Sequence, residues 1–194
     1  MIDGLIRPKL VPLMDSFATR LSQSGLSANA ITITGLITGL AGCFLVSLQM
    51  YPLGLILVLL SLLADGLDGA VARATQTTEL GAWMDMMAGV ILFAAFPFFF
   101  MLSSSSETYA AAASLLLLSY VLMGMANLSY DYFAMKKGAA PAKGGLVESG
   151  EIIIFMTASC LYPAGFSLLA AALALLGLIA AVLRMKDTVK LLKD

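Results

Sequence analysis

Charged residues are absent from four long stretches of this chain: 21–64, 86–106, 108–130 and 152–183. Runs of this kind suit helices in a lipid bilayer, where about 20 apolar residues span the hydrocarbon. The first and last runs each hold parts of two crossings, divided by the turn signals Tyr51-Pro52 and Tyr162-Pro163. Six helices are predicted, over 27–50, 53–75, 79–103, 108–136, 144–162 and 164–185. The segment 1–25 differs. Its apolar residues Ile2, Leu5, Ile6, Leu10, Leu13, Phe17 and Leu21 recur at helical spacing among Arg7, Lys9, Asp15 and Arg20. That pattern predicts an amphipathic helix on the membrane surface, bent near Pro8 and Pro12. The interrupting charges, with no small-residue cleavage site after an apolar core, exclude a signal peptide. The expected fold class is an all-α membrane protein with six transmembrane helices and an amphipathic N-terminal surface helix. Short connections leave room for a single membrane domain over 1–194, of which 1–25 is the juxtamembrane segment.

Composition agrees: 60% of residues are hydrophobic, 12% are charged and none is histidine. The distribution of charge carries more than its sum of −1. With six crossings, all 11 Lys and Arg fall on the side of the termini, and the connection around residue 105 carries only Glu107. The excess of basic residues in cytoplasmic loops then puts both termini in the cytoplasm. Basic residues this dispersed form no groove, and no nucleic-acid motif is present. Cys43 and Cys160 lie inside predicted helices with neither zinc spacing nor a disulfide framework, and read as small core hydrophobes. Lys136 and Lys137, after Asp131, read as interfacial anchors rather than a binding site.

Against this background three acids stand out. Asp65 and Asp68 occur in Leu62-Leu63-Ala64-Asp65-Gly66-Leu67-Asp68-Gly69-Ala70-Val71-Ala72-Arg73, and Asp85 lies between Gly81 and Gly89 at four-residue steps. Ionised groups are costly in lipid and mark function by default. Asp65 and Asp68 are i and i+3 and share a helix face. Counted from residue 53, Asp65 lies about 18 Å along its helix, in the cytoplasmic half; Asp85 lies about 9 Å into the next. The two antiparallel neighbours bring the acids to one depth, in a cleft open to cytoplasmic water. Oxygen ligands without His or Cys suit a hard cation, Mg²⁺ or Mn²⁺. Arg73, at the cytoplasmic end of the same helix, is placed to grip a phosphate, and Gly66 and Gly69 let a ligand approach the backbone. Simpler readings compete: Asp68 and Arg73 as a structural ion pair, and Gly81 and Gly89 as a helix-packing device.

The string Asp65-x2-Asp68-Gly69-x2-Ala72-Arg73-x7-Gly81-x3-Asp85 resembles the signature of the CDP-alcohol phosphatidyltransferase family, D-x2-D-G-x2-A-R-x8-G-x3-D-x3-D. Ser27-Ala28-Asn29-Ala30-Ile31-Thr32 is similar to that family's P-N-x-I-T stretch, with Ala28 in place of proline. The family architecture is also similar: six helices, a cytoplasmic amphipathic leading segment and the motif on helices 2 and 3. The resemblance implies an enzyme of phospholipid biosynthesis that moves a phosphatidyl group from CDP-diacylglycerol to an alcohol or phosphorylated alcohol, releasing CMP. It further implies that Asp65, Asp68 and Asp85 hold two divalent ions, with Asp85 assisting catalysis through metal. Asn29, Ala30, Ile31, Thr32, Gly69, Arg73 and Thr78 would contact the nucleotide. By the same analogy the protein would be a homodimer in a bacterial inner membrane.

Two departures stand against the signature. The x7 spacing falls in the 2–3 turn, where the loss of one residue need not rotate either helix. The fourth aspartate, a metal ligand and the base of the family pattern, is Gly89 here. Three accounts are open: another base substitutes, the chain retains only CDP-lipid binding, or position 89 was altered. Glu148 and Glu151, i and i+3 at the cytoplasmic end of helix 5, are candidate substitutes; they equally suit pairing with Lys143 or solvation at the interface. An ion-coupled transporter is the remaining class, disfavoured because no inverted repeat is visible and the acids sit toward one side.

Overall fold

The computed structural model describes residue 18 and residues 25–141 and 144–193. The amphipathic surface helix expected over 1–25 therefore falls almost wholly outside the described residues, as does Lys143. Among them all regular structure is helical: α1 (Ala28–Ser47), α2 (Tyr51–Ala74), α3 (Glu79–Leu102), α4 (Glu107–Lys136), α5 (Ser149–Leu161) and α6 (Phe166–Lys193), with a 3-10 turn at Pro163–Gly165. Five segments are long and apolar enough to cross a membrane: α1 to α4, and Pro163–Lys193. The chain is an all-α integral membrane protein. At 13 residues α5 is the exception. It rises only about 20 Å, short of the ~30 Å hydrocarbon core.

Several boundaries differ from the expectation, each for a local reason. The first helix stops at Ser47 because Gln49 takes a left-handed φ of 62°. The Met50 amide then bonds Leu45 O at 3.0 Å and the Gln49 amide bonds Val46 O at 2.9 Å. This is a Schellman ending in which Gln replaces the usual Gly. The Gln49 side chain donates to Ser103 O at 2.8 Å, tying the α1 end to the end of α3. The fifth helix starts at Ser149, not 144, because Glu148 and Glu151 form a reciprocal capping box there. The last helix runs to Lys193, not 185: no Gly or Pro interrupts residues 184–193, and Arg184 pairs with Asp187 one turn on.

Two compact units meet in sequence at Ser104–Ser105. In the first, a stripe of small residues on α1 sets the packing. Gly35, Gly39 and Gly42 are buried, and a Cβ on Gly42 would stand 2.8 Å from Gly54 O of α2. A Cβ on Gly39 would meet both Ser61 Oγ of α2 and Leu92 of α3, so α1 touches both neighbours. Lipid removes the hydrophobic drive for helix association, and small residues that let backbones approach take its place. The far end of α3 supplies bulk instead: Phe96, Pro97 and Phe100 are buried, and Phe100 stacks on Tyr51 at 5.4 Å between ring centres.

In the second unit α4 and α6 pack through similar stripes. Phe166, Ala170, Leu173, Ala174, Gly177 and Ala181 are buried along one face of α6. Gly177 lies against Ser119 of α4, where a Cβ would come within 2.9 Å of the hydroxyl. Tyr109 donates to Pro163 O at 2.6 Å and its ring lies 5.2 Å from that of Phe166, closing the far end of this unit. Near the other end, Arg184 donates to Asn127 Oδ1 at 2.9 Å and to Gly144 O at 2.6 Å, and lies over the Tyr130 ring. Lys137 donates to Leu191 O at 2.7 Å, so this lysine serves the fold. Cys43 and Cys160 are both buried free thiols.

Candidate active site

The small-residue stripe that joins α1 to α2 also builds the site. Thr32 lies one turn before Gly35 on α1, and on α2 the face that carries Gly54, Val58 and Ser61 continues to Asp68. Close approach of the helices therefore brings the Thr32 hydroxyl to Asp68, and it donates a short hydrogen bond to Asp68 Oδ2. Asp68 is 2% exposed, and its other oxygen, Oδ1, is buried with no hydrogen-bond partner. A buried carboxylate oxygen left in this state costs free energy unless a cation or ligand completes it.

The other two acids surround it. Asp65 and Asp85, from α2 and α3, interact side chain to side chain, and Asp68 feels the field of Asp85. Thr78 begins α3: its hydroxyl accepts from the Gly81 amide at 3.0 Å, which sets where Asp85 stands one turn further on. Among the described residues, no three Asp, Glu, Cys or His side chains already close on one point as ligands of one ion. The cluster is thus a set of carboxyl groups held near one another, with one orphaned oxygen.

Two cavities open on this cluster and share Thr32 and Asp68. The larger, about 210 Å³, is lined by Asn29, Thr32, Asp68, Gly69, Ala72, Arg73, Thr78, Gly81 and Asp85, with Ala28, Gln76, Thr77 and Ala82. The smaller is a chamber of about 20 Å³, lined by Asp65, Asp68, Thr32, Ser61 and Gly89 among apolar neighbours. Arg73 Nη1 would lie 3.5 Å from a Cβ at Gly69, an ordinary contact distance, so the guanidinium lies beside Gly69. Gly81 is tighter: a Cβ there would meet Asn29 Oδ1 at 3.1 Å and Thr78 Oγ1 at 3.0 Å. Gly89 is different. A Cβ there would meet nothing within 4 Å, so the packing reading fits Gly81 and does not fit Gly89.

The structure therefore gathers Asn29, Thr32, Asp65, Asp68, Gly69, Arg73, Thr78, Asp85 and position 89 around two spaces that share Thr32 and Asp68. Ala30 and Ile31 line neither: the Ala30 amide bonds the Ser27 cap at 3.3 Å, and Ile31 packs on the Ala70–Val71 cluster. Ser61, Gln76 and Thr77 were not singled out from sequence. Ser61 could have been found, since it lies four and seven residues before Asp65 and Asp68 on their own face. Glu148 and Glu151 belong to the second unit. Glu148 Oε1 accepts from the Gly145 amide at 3.1 Å, and Glu151 Oε2 accepts from the Glu148 amide at 3.0 Å.

This membrane-embedded helical protein thus sets three carboxylates and a guanidinium around two neighbouring spaces. Residues 26–185 match the CDP-alcohol phosphatidyltransferase family, and the chain belongs to it, among transferases of phospholipid biosynthesis. The inner membrane protein YnjF of Escherichia coli is 30% identical over 176 residues, covering 86% of this chain and 85% of that one. A CDP-diacylglycerol–serine O-phosphatidyltransferase of Helicobacter pylori is 39% identical over 70 residues, 36% of this chain and 30% of that one. In structure, the chain is similar to the Mycobacterium tuberculosis phosphatidylinositol phosphate synthase PgsA1 with CDP-DAG bound, at a TM-score of 0.71 and 22% identity. The match covers 91% of this chain and 94% of that one. The same synthase in complex with manganese and citrate matches equally, at a TM-score of 0.71 and 23% identity over 90% of this chain and 88% of that one.

Proposed function

We propose that this protein transfers a phosphatidyl group from CDP-diacylglycerol to an alcohol acceptor with release of CMP. The observation that carries this reading is the larger cavity, in which residues of both motif stretches line one space. Arg73 and the backbone beside Gly69 bind and orient the pyrophosphate, and Asn29 and Thr78 border the nucleotide side. Asp65, Asp68 and Asp85 hold a divalent cation, Mg²⁺ or Mn²⁺. The unpartnered Oδ1 of Asp68 and the all-oxygen donor set fit such an ion. When bound, it neutralises charge on the phosphates and on departing CMP. Thr32 fixes the Asp68 carboxylate by its hydrogen bond, as supporting residues around metal ligands do. The lipid relatives place the work at a membrane; the name of YnjF and the bias of basic residues support an inner membrane with both termini cytoplasmic.

A second reading, CDP-lipid binding without turnover, is favoured by Gly89, which brings no carboxylate into the chamber beside Asp65 and Asp68. Both are tested by CMP release from CDP-diacylglycerol in detergent with Mn²⁺ and a panel of alcohols and phosphorylated alcohols. Loss of a general base lowers a rate by about 10²–10⁴-fold, so Gly89→Asp is expected to raise CMP release by a factor in that range. Slow release from the native chain supports the transferase. Release from Gly89→Asp alone supports the binding protein. If neither releases CMP and neither binds the CDP-lipid, the reading fails.

A further inference from the structure

We infer that the acid cluster of this chain holds one divalent ion, not a pair. The inference rests on the reading of Asp65, Asp68 and Asp85 as ligands and concerns how many ions they can serve. Paired ions stand about 3.5–4 Å apart and need oxygens on both flanks. Here three carboxylates must serve any ion: Asp65 and Asp68 border the small chamber, and Asp68 and Asp85 border the larger cavity. Asp68 offers Oδ1, buried and without a partner, while its Oδ2 is held by Thr32. Asp65 and Asp85 interact with each other and with Asp68 across the same ground.

A second ion would have to stand in the chamber at position 89. Apart from Asp65, Asp68 and the hydroxyls of Thr32 and Ser61, its lining is apolar, with Leu92 and Phe93 among the walls. No atom lies within 4 Å of where a side chain at 89 would begin, so no other residue has moved in to replace it. At about 20 Å³ the chamber takes one water or one small ion, and little else. A second divalent ion there would have left bulk water for largely apolar walls, with a full ion's repulsion from its neighbour and no carboxylate except Asp65 and Asp68, which the first ion already uses. Desolvation alone opposes this by several kcal/mol per ion in such surroundings. A single ion seated against Asp68 Oδ1 meets neither cost, and the chamber then holds water as one of its ligands.

The test is the number of Mn²⁺ ions bound per chain of purified protein in detergent. It is measured by calorimetric titration and electron paramagnetic resonance, with Mn²⁺ alone and again with saturating CDP-diacylglycerol. The native chain should bind one ion in both conditions and show an uncoupled Mn²⁺ spectrum. Gly89→Asp should bind two and show exchange coupling between them, and Gly89→Ala should still bind one, which separates the carboxylate from mere filling. A thermal unfolding midpoint for each variant establishes that it is folded. Two ions in the native chain, in either condition, would overturn the inference. So would a single ion in a folded Gly89→Asp. No ion in the native chain overturns it as well, and takes with it the proposed metal dependence, whereas an incorrect count leaves that dependence standing.

Discussion

Replacing Thr32 by valine removes one hydrogen-bond donor from the site and almost nothing else. The side chain keeps its shape, and its place among the buried residues of α1 has no other polar demand beyond the Ala28 carbonyl one turn back. What it loses is the bond to Asp68 Oδ2. Asp68 is 2% exposed and already has an orphaned Oδ1, so water cannot readily take over. A hydrogen bond to a charged group contributes about 1.5–3 kcal/mol, which converts to roughly 10- to 150-fold in a dissociation constant. Thr32→Val is therefore expected to weaken Mn²⁺-dependent CDP-diacylglycerol binding by that factor, while Thr32→Ser, which keeps the donor, changes it little. Calorimetric titration in detergent measures both. The double variant with Asp68→Asn separates positioning from general damage: once the carboxylate is gone, Thr32→Val should cost little more. Native-like binding by Thr32→Val, or a full additional loss in the Asp68→Asn background, would refute the assignment of Thr32 as the residue that orients Asp68.

Two further expectations follow from the second unit. Glu148→Ala removes one half of the α5 capping box and should lower stability by about 1 kcal/mol, read as a lower thermal unfolding midpoint, without changing CMP release per folded molecule; lost release at an unchanged midpoint would instead make Glu148 a base. Gly177→Val places new methyl groups where a Cβ alone comes within 2.9 Å of Ser119 Oγ, and overpacking of this kind costs about 1–3 kcal/mol. Its unfolding midpoint should fall, and an unchanged value would show that α4 and α6 are not held by close packing at this point.

What was legible in the sequence follows from which errors lipid forbids. Asp65, Asp68 and Asp85 were visible because an acid inside an apolar run needs a reason, and helical spacing then put them on neighbouring faces. The structure brings their side chains into mutual interaction. Helix number was legible for a similar reason, since uncharged runs are long and turn signals few. Thr32 was visible only as part of a motif. Its bond to Asp68 depends on the Gly35-Gly39-Gly42 stripe, which sequence inspection passed over because glycines in an apolar run look like breakers as readily as contacts. The end of α1 was overrun because Gln49 supplies the left-handed residue that Gly usually signals. The start of α5 was set too early because the acids that hydropathy made part of the helix instead close its first turn.

Gly89 repays the closest reading, because the same residue supports opposite accounts until the space around it is known. A glycine kept for helix packing has a neighbour where its Cβ would be, as Gly39, Gly42, Gly81 and Gly177 do. Gly89 has none within 4 Å, and it faces the chamber it shares with Asp65 and Asp68 rather than another helix. The fold therefore makes no demand for glycine at this position, and a larger residue would enter open space. Packing gives no reason for glycine here, and the backbone is ordinary helix that any residue adopts. The consequence lies in the chemistry of the chamber: position 89 adds no carboxylate to Asp65 and Asp68, and it leaves a space the size of a water.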